Sequence, residues 1–535
     1  MKGYRLAALA AFGVLAAGGA AAGEDKWGAH VDLEGKAGTK RNLGEADVFL
    51  PLAQNADSVL FADIRTRMDD EQSREGNFGL GLRHMLDSGW NLGGYGFFDR
   101  RRSEYHNYFN QVTFGAEALS PDWDVRANGY IPVGRRSHDE DSLNTAEISG
   151  STVIFRGGEE RSLGGFDAEI GWRVPVFAAD AGQNLRVYAG GYRFADDGVP
   201  TVAGPRARAE MVFDEVPGLW DGSRLALGAE WQHDSPRGSQ GFLSARLRIP
   251  LQAESFSTSR LTPMERRMAD PIVRDVDIVA QAGTFGAAET ATASNGNTLT
   301  VVSSATTTGA NLQNALNAAG VNSTVILSGT FNTTSSVTLQ SGQTVRGSGN
   351  ITVSSPSGRT ATLSQSSSGT INASLGVQSA AVNMASNSTL TGMTIAPTSS
   401  AVVSVYGVEA NNVTGVTIDG NTISVANTNS AAIGLRFMNN ASGTASGNTV
   451  TASRPTPGGG VALAVQVDNS TVKLNDNSFS ASGSGSNDAI YLNHANIQSG
   501  STGNLVLAGV CNVNTVGTGS AVSYTSGSVP STCGP

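Results

Sequence analysis

The sequence predicts an all-β protein in which an antiparallel β-barrel is followed by a stacked, parallel β-helix. Three observations support this fold class. Runs of about ten residues in the first half alternate apolar with charged side chains, which is the pattern of a tilted barrel strand. Short segments rich in Val, Ile and Thr recur in the second half at intervals of 23–29 residues. All six tryptophans precede residue 232, and this change of composition places the boundary between about 255 and 300.

Composition and charge exclude several classes of protein. A chain of 535 residues is too long for one ordinary domain. Its 36 basic and 46 acidic residues give a net charge of −10, which argues against a nucleic-acid-binding protein that contacts phosphates. A hydrophobic content of 39% excludes a helical multi-pass membrane protein but permits a β-barrel, because only alternate residues of membrane strands are apolar. Two cysteines cannot build a disulfide-dense scaffold or a four-thiolate zinc site.

The first residues have the pattern of an export signal. Lys2 and Arg5 supply a positive start, residues 6–22 are apolar or small, and the charged Glu24 follows soon after. We therefore expect residues 1–22 to be a cleaved signal peptide. A retained membrane anchor is the alternative, but 17 residues dominated by Ala and Gly are short for spanning a bilayer.

Alternation is clearest in residues 111–118, 166–174, 224–232 and 243–249 of the first half. A soluble barrel buries its apolar face, whereas a membrane barrel turns that face toward lipid. Two arguments favour the membrane barrel. The apolar faces carry no charge, and a charge that faces lipid costs roughly 2–4 kcal/mol at mid-depth. About a dozen runs between residues 28 and 250 also enclose a wider lumen than the eight-stranded barrel that side chains fill.

The charged faces of these runs are predicted to line a water-filled lumen. The pore-lining candidates are Glu117, Arg126, Asp167, Glu169, Arg173, Arg224, Glu230, Arg246 and Arg248. We expect these side chains to pair with one another or to be hydrated, and we assign them no catalytic role. The barrel is assigned to residues 28–254, with outer-membrane lipid around it.

Five ordered motifs of the barrel region resemble a known family. They are Ser58–Ile64, Asn77–Arg83, Trp90–Asp99, Phe114–Glu117 and Arg126–Pro132. Together they resemble the translocator of inverse autotransporters, the intimin/invasin family, over roughly residues 28–278. The resemblance implies a twelve-stranded outer-membrane barrel, inserted by the barrel-assembly machinery, whose C-terminal passenger is exported through its own pore. We count about thirteen runs, and one of them is expected to be a loop, since such barrels have even strand numbers.

Residues 255–299 are predicted to be a linker that threads back through the pore. Thr262 and Pro263 are placed to cap and start a short helix that Pro271 must end, and a helix about 10–12 Å across fits a twelve-stranded lumen. An even number of strands leaves both ends of the strand array on the periplasmic side, so a displayed passenger must pass outward again. The alternative is a tether in the periplasm.

The second half repeats a frame around three asparagines. Asn421, Asn448 and Asn477 stand 27 and 29 residues apart, and repeat units this small must stack to bury a face. We expect these asparagines to form a hydrogen-bonded ladder along the stack. The repeat resembles a right-handed parallel β-helix of the pectate-lyase-like architecture. The resemblance implies a capping helix at residues 312–317. We assign the passenger to residues 300–535, and a repeat of about 25 residues gives it roughly eight turns.

Two other interpretations of the second half stay open. Immunoglobulin-like domains, which members of the family more often display, need about 100 residues and usually a buried Trp, and this half has no Trp. Disorder agrees with the Ser and Gly content but not with the recurring Val/Ile segments.

The two cysteines stand near the C-terminus. Cys511 and Cys533 are 22 residues apart, and in an exported protein we expect them to pair. Such a disulfide would close a loop worth about 3 kcal/mol at the open end of the stack. Two free thiols are the alternative.

The passenger offers little chemistry, because its acidic residues are scattered, and we predict no catalytic residue, cofactor or metal site. We interpret the chain as an outer-membrane inverse autotransporter that displays its β-helix at the cell surface, for adhesion to a glycan or protein. The alternative is a surface-tethered polysaccharide lyase or hydrolase. That activity requires Glu409, Asp419 and Arg436 to line one face within about 6 Å. A diffusion porin would leave the chain beyond residue 290 without a role.

Overall fold

The computed structural model describes residues 26–178, 180–251, 261–275, 277–365, 369–456, 460–517, 521–527 and 529–534. The predicted signal peptide lies outside the described residues. The chain divides into two compact units. The barrel unit comprises residues up to 139 and residues 160–283, and the solenoid unit comprises residues 140–159 and 284–535. Among the described residues, no helix has both the length and the apolar character needed to cross a membrane.

Twelve antiparallel strands close the barrel unit. Seven strands come first: β1 (His30–Gly38), β2 (Leu43–Gln54), β3 (Ser58–Asp69), β4 (Arg74–Leu86), β5 (Trp90–Arg102), β6 (Tyr108–Leu119) and β7 (Trp123–Val133). Five more follow an excursion of the chain: β12 (Gly164–Val174), β13 (Gln183–Ala195), β14 (Val202–Asp214), β15 (Arg224–Asp234) and β16 (Gly238–Pro250). The first and last strands pair, with Val31 opposite Ile249, so the sheet has no free edge. The predicted barrel and its even strand number are confirmed.

The excursion between β7 and β12 contains four short strands. They are β8 (Ser137–Asp139), β9 (Thr145–Ser149), β10 (Thr152–Arg156) and β11 (Glu159–Ser162), with a 3-10 turn at Asp141–Leu143. Strands β8 and β11 form a small sheet with β17 (Ala280–Gly283), whereas β9 and β10 form an antiparallel hairpin in the solenoid unit. Helix α1 (Pro263–Arg267) belongs to the barrel unit.

The two faces of the barrel strands differ as the alternation predicts. On β4, Phe78, Leu80 and Leu82 are more than half exposed, whereas Asn77 and Arg83 are almost completely buried. A single-layer barrel has only its lumen as an interior, so the buried polar face points inward and the apolar face points outward toward lipid.

The run Trp90–Asp99 alternates poorly because its inward face carries aromatic rings as well as charge. Tyr95 and Phe97 on β5 are buried, and each ring lies over a glycine of a neighbouring strand. A Cβ atom on Gly79 would lie 2.3 Å from the Phe97 ring, and one on Gly115 would lie 2.3 Å from the Tyr95 ring. These glycines therefore leave the room that the rings occupy.

The solenoid unit winds three parallel stacks of short strands into about eight turns. The first stack is β20 (Leu299–Ser303), β21 (Thr324–Thr333), β23 (Thr344–Arg346), β28 (Thr389–Thr391), β31 (Val416–Asp419), β34 (Ser442–Ser446), β37 (Thr471–Asn475) and β39 (Asn487–Ile497). The second stack continues from β21 through β26 (Gly369–Ser374), β29 (Thr394–Ser399), β32 (Thr422–Asn427), β35 (Thr449–Arg454), β38 (Ser478–Gly483), β40 (Asn504–Ala508) and β42 (Val522–Ser526). The third stack is β22 (Val337–Thr338), β27 (Ser379–Asn383), β30 (Val405–Asn411), β33 (Ala432–Met438), β36 (Ala462–Asp468), β39 and β41 (Val510–Val516). The predicted parallel stack of about eight turns is confirmed.

The remaining elements of the solenoid unit lie outside these stacks. They are β18 (Ala288–Thr290), β19 (Thr292–Ala293), β24 (Gly349–Ser354), β25 (Thr360–Gln365), β43 (Val529–Cys533), α2 (Leu312–Ala319) and a 3-10 turn at Gly309–Asn311. Helix α2 is the helix predicted at residues 312–317. It buries Leu312 and Leu316 completely in the apolar core of the stacks, as a capping helix does.

The predicted asparagine ladder is present and extends one rung further. The backbone N and side-chain Nδ2 of Asn421 both donate to Asn448 Oδ1 at 3.0 Å. Asn448 donates to Asn477 in the same way, and Asn477 donates to Asn504. Each of the four residues is at most 1% exposed. Asn504 follows Asn477 by 27 residues and was not among the predicted rungs.

The two cysteines close the last turn of the solenoid. Cys511 on β41 and Cys533 on β43 form a disulfide, and their Cα atoms lie 5.7 Å apart. Strand β43 runs antiparallel to β42, the last strand of the second stack. The bond therefore ties the end of the third stack to a strand that folds back over the second.

Candidate functional site in the barrel lumen

Residues 261–275 and 277–279, here named the threaded segment, run through the barrel lumen. At the rim where β1 begins and β16 ends, the Trp27 indole Nε1 donates to the carbonyl of Glu265 at 2.8 Å. At the opposite rim, where β5 ends, Arg101 Nη1 donates to the carbonyl of Ile278 at 2.6 Å. The segment therefore crosses the height of the barrel, from the rim that holds both ends of the strand array to the other rim.

Helix α1 begins the threaded segment and is fixed by its cap. The Thr262 hydroxyl accepts from the Glu265 backbone N at 3.3 Å, and the Glu265 carboxylate accepts from the Thr262 backbone N at 2.9 Å. This reciprocal pair is a capping box, and Pro263 occupies the first turn as predicted. The helix ends at Arg267, earlier than Pro271 requires, and the rest of the segment is not helical.

An apolar patch of the lumen holds the segment after the helix. Met268 is fully buried and Ile272 is 3% exposed. They pack in one cluster with the wall residues Trp27, Phe49, Val59, Phe61, Tyr95 and Phe97. Full burial of such side chains stabilises by about 1.5–3 kcal/mol each, so this patch is an anchor for the segment.

Buried charges hold the middle of the segment. Arg83 donates to the carbonyls of Met268 and Asp270 at 2.9 and 2.6 Å, and its Nε donates to Glu117 at 2.6 Å. The Asp270 carboxylate pairs in turn with Arg224 of β15 at 2.7 Å. Wall strands on both sides of the lumen therefore contact the same stretch of the segment.

Three ion pairs hold the part of the segment that lies toward the opposite rim. Arg274 pairs with Asp99 at 2.7 Å, and neither side chain is exposed. The Arg274 guanidinium also lies 4.2 Å from the centre of the Phe97 ring, within the range of a cation–π contact. Beyond it, Asp277 pairs with Arg67 at 3.2 Å and with Arg41.

The structure places the predicted pore-lining residues on the polar, inward side of the wall. Glu117, Arg126, Asp167, Glu169 and Arg248 are buried, and Arg173, Arg224, Glu230 and Arg246 are half-buried. Of the nine, Arg224 pairs with Asp270 of the threaded segment, Asp167 accepts a hydrogen bond from the Asp275 backbone N at 3.3 Å, and Glu117 reaches the segment through Arg83. The rest pair mainly with other wall residues, as Arg126 does with Glu169 at 3.0 Å. Arg173 lies near the rim and pairs with Asp122 at 2.6 Å.

The lumen predicted to be water-filled is largely occupied by the threaded segment and its ion pairs. Cavities of about 80 and 90 Å³ remain beside the segment among the described residues, and one of about 320 Å³ opens at the far rim beside Asp277 and Val279. Asp124 pairs with Arg267 of the threaded segment at 2.7 Å. Arg83, Asp99, Asp124 and Arg274 make such pairs but were not among the predicted pore-lining residues. Asp124 could have been predicted from the sequence, because it lies two residues before Arg126 on β7 and therefore faces the lumen as Arg126 does.

The residues required for the enzymatic alternative do not meet on one face. Glu409 of β30 pairs with Arg436 of β33 at 2.6 Å, and both strands belong to the third stack. Asp419 belongs to the first stack and accepts a hydrogen bond from the Ser446 hydroxyl at 2.6 Å. Within the described part of the chain, no group of three or more potential metal-ligating His, Cys, Asp or Glu side chains is found.

One family model matches part of the chain, within its first half. Residues 23–194 match the family model described as "Inverse autotransporter, beta-domain". No curated protein matches the chain.

Several solved structures are similar to this chain at low identity. A chain from work on the in-meso crystallization of membrane proteins is 15% identical, with a TM-score of 0.36, and the match covers 48% of this chain and 100% of that one. An outer membrane channel from Pseudomonas putida F1 is 12% identical with a TM-score of 0.30, covering 41% and 94%. The β-domain of the Bordetella autotransporter BrkA is 10% identical with a TM-score of 0.24, covering 42% and 98%.

Proposed function

We propose that this chain, which carries an inverse autotransporter β-domain in the outer membrane, exports its own solenoid and anchors it at the cell surface for adhesion. The threaded segment is the observation that carries the proposal. It enters the lumen at the rim holding both ends of the strand array and leaves at the opposite rim. The residues that follow it are thereby delivered to the other side of the membrane.

Export by this route requires the solenoid to cross the membrane unfolded. A wound stack of three parallel sheets is wider than a twelve-stranded lumen that a single segment nearly fills. Each turn of the solenoid gains its apolar core by stacking on the turn before it. Folding outside therefore supplies free energy turn by turn and opposes return through the lumen.

Adhesion is supported by a row of recognition groups on the third stack. Glu409, Arg436, Gln466 and Tyr491 occupy equivalent positions on successive strands. Arg436 also lies 4.3 Å from the centre of the Tyr406 ring. Guanidinium, carboxylate, amide and aromatic groups in a repeating row suit many weak contacts with a glycan or a protein surface.

Display is tested with a tobacco etch virus protease site inserted in full-length chains on intact cells. One variant carries the site beside Val402, which is 83% exposed on the solenoid. The matched control carries it at Gly89, in the turn between β4 and β5 at the rim assigned to the periplasm. We expect added protease to cut only the first. Cutting of the Val402 site only after the outer membrane is permeabilised would place the solenoid in the periplasm and refute the proposal.

Adhesion is tested on cells bound to an array of immobilised polysaccharides and matrix proteins. Arg436→Ala removes the central group of the row, and we expect binding about tenfold weaker. Lys473→Ala is the matched control, because Lys473 carries the same charge on the first stack. Equal binding by the two variants, at equal surface density, would exclude the third stack as the adhesive face.

A further inference from the structure

We infer that residues 140–159, here named the template hairpin, act as an intramolecular template on which the exported solenoid starts to fold. The hairpin stands in the barrel half of the sequence, between β7 and β12, yet it belongs to the solenoid unit. The inference rests on the proposed export of the solenoid. It adds a folding function to a segment that the translocation path itself does not use.

An apolar cluster joins the template hairpin to the first turns of the solenoid. Val153 and Phe155 on β10 are 0% and 1% exposed. They share the cluster with Ala291, Leu299, Val301, Ile326, Ile351, Val353, Ala361 and Leu363. Ala291 lies between β18 and β19, and the other partners lie within the first turns or in the β24–β25 insertion. The hairpin therefore completes the core at the end of the solenoid where folding must begin.

The template hairpin also supplies backbone partners to the residues with which the chain re-enters the solenoid unit. Strand β10 pairs antiparallel with β18, with Phe155 opposite Glu289. Beyond that pair, the backbone N of Ala291 donates to the carbonyl of Val153 at 2.8 Å, and the N of Val301 donates to the carbonyl of Ser151 at 2.9 Å. The hairpin therefore offers a strand edge to β18, among the first residues that follow the threaded segment.

One arginine fastens the other side of the template hairpin. Arg359 donates to Asp141 at 2.8 Å, to the Asn144 side chain at 2.6 Å and to the carbonyl of Gly158 at 2.8 Å. The hydrogen bond from Arg359 holds the pKa of the Asp141 carboxyl below its usual value. Asn144 Nδ2 returns a hydrogen bond to the carbonyl of Thr360 at 2.9 Å. These polar contacts fix the turn between β24 and β25 on the hairpin.

A template is needed because the first turn of a solenoid has no earlier turn to stack on. A later turn closes on a formed edge, whereas the first must order its strands before it buries them. The template hairpin precedes the passenger in the chain and is joined at both ends to barrel strands, so it is present before residue 284 emerges. Docking on a formed edge replaces that costly first step.

The test follows two events in pulse-labelled cells that make the full chain. Cutting at the site beside Val402 by added tobacco etch virus protease reports arrival at the surface, and resistance to proteinase K reports folding. In Val153→Ser/Phe155→Ser we expect the interval between the two to lengthen at least about fivefold. Ile148→Ser is the matched control, because Ile148 lies on the same hairpin but is 39% exposed, and its interval should match the parent chain.

Two further results complete the design. Arg359→Ala lies outside the barrel half and so leaves barrel assembly intact. It should lengthen the same interval, while Lys473→Ala should not. The template function is overturned if the time between surface arrival and proteinase K resistance is unchanged in both Val153→Ser/Phe155→Ser and Arg359→Ala. This holds even if the folded solenoids of these variants are finally less resistant to proteinase K. Failure of the parent chain to become accessible at Val402 would instead refute export itself.

Discussion

Single residues in the lumen set how firmly the threaded segment is held. The Arg274–Asp99 pair has no exposed side-chain surface on either partner. Removing one member of a buried pair leaves an uncompensated charge and costs about 3–5 kcal/mol, whereas removing both costs far less. The contact is therefore a lock whose strength depends on both charges being present.

Replacement of Arg274 tests this lock. In Arg274→Met the Asp99 carboxylate loses its positively charged partner, and we expect the part of the threaded segment around residue 274 to detach from the wall. The barrel purified with its passenger should then conduct ions in planar bilayers at a higher open probability. Asp99→Asn/Arg274→Met should return toward the parent value, and Arg156→Met, which changes an arginine outside the lumen, should not differ from it. Equal conductance in all four chains would mean that the pair does not close the lumen.

Glycines under the aromatic rings are a second residue-scale constraint. A methyl group on Gly79 would lie 2.3 Å from the Phe97 ring, whereas a Cβ on Gly44 would have no neighbour within 4 Å. We expect Gly79→Ala to destabilise the barrel by about 1–3 kcal/mol, the usual cost of overpacking. The Gly44→Ala barrel should unfold at the same temperature as the parent barrel. Thermal unfolding in detergent, followed by the mobility shift of the folded barrel on gels, measures both.

At the scale of elements, the asparagine ladder couples neighbouring turns of the solenoid. Asn448 accepts from Asn421 on one side, donates to Asn477 on the other, and its Nδ2 also satisfies the carbonyl of Ile418 at 2.8 Å. All of these groups are buried, so a missing amide leaves several of them without partners. A buried polar group left unsatisfied costs about 1–3 kcal/mol.

Asn448→Ala should therefore weaken the middle of the solenoid. We expect a loss of about 2–4 kcal/mol, because more than one buried group loses its partner. Asn372→Ala removes an exposed asparagine of the second stack and should be close to neutral. Proteinase K sensitivity of displayed solenoids as temperature rises compares the two. Coincident curves would show that the ladder does not contribute to stability.

Periodicity predicted the elements that repeat and failed for those that do not. The barrel strands were predicted from apolar and charged residues that alternate along the chain, and the stacks were predicted from the spacing of the repeated asparagines. Both signals are local in the sequence. The template hairpin gave no such signal, since Val153 and Phe155 alternate like a short barrel strand. Their partners lie more than 130 residues later. Likewise, β5 did not show a clear alternation, because its inward-facing residues include the apolar rings of Tyr95 and Phe97. Glycines on neighbouring strands leave room for these rings in the lumen.

At the scale of the whole molecule, the spacing of the two cysteines along the chain limits the size of the disulfide-closed loop that must pass through the lumen. The native cysteines are 22 residues apart, so a disulfide formed before export closes a small loop. In the final state the lumen holds one segment, with cavities of about 80 and 90 Å³ beside it and one of about 320 Å³ at the rim. If a disulfide closed a much longer loop before export, both arms of that loop would have to pass through the lumen side by side.

Moving one cysteine tests this limit. In Ser303→Cys/Cys511→Ala, oxidation in the periplasm with Cys533 closes a loop of about 230 residues. We expect export to stall in oxidising cells and to recover in cells that lack the periplasmic thiol oxidase. Cys511→Ala alone, which leaves a single thiol, should be exported in both. Unimpeded export of the long loop would require a lumen that opens much wider than the structure described here.

The last strand of the solenoid has a consequence for crowding at the cell surface. Strand β43 covers β42 in the antiparallel sense and carries Pro530, which has no backbone N–H to donate. Parallel rods with bare ends join end to end and grow into fibres, whereas a reversed edge strand with a proline blocks that addition. At the edge of the second stack, β43 therefore opposes the addition of a strand from a neighbouring molecule.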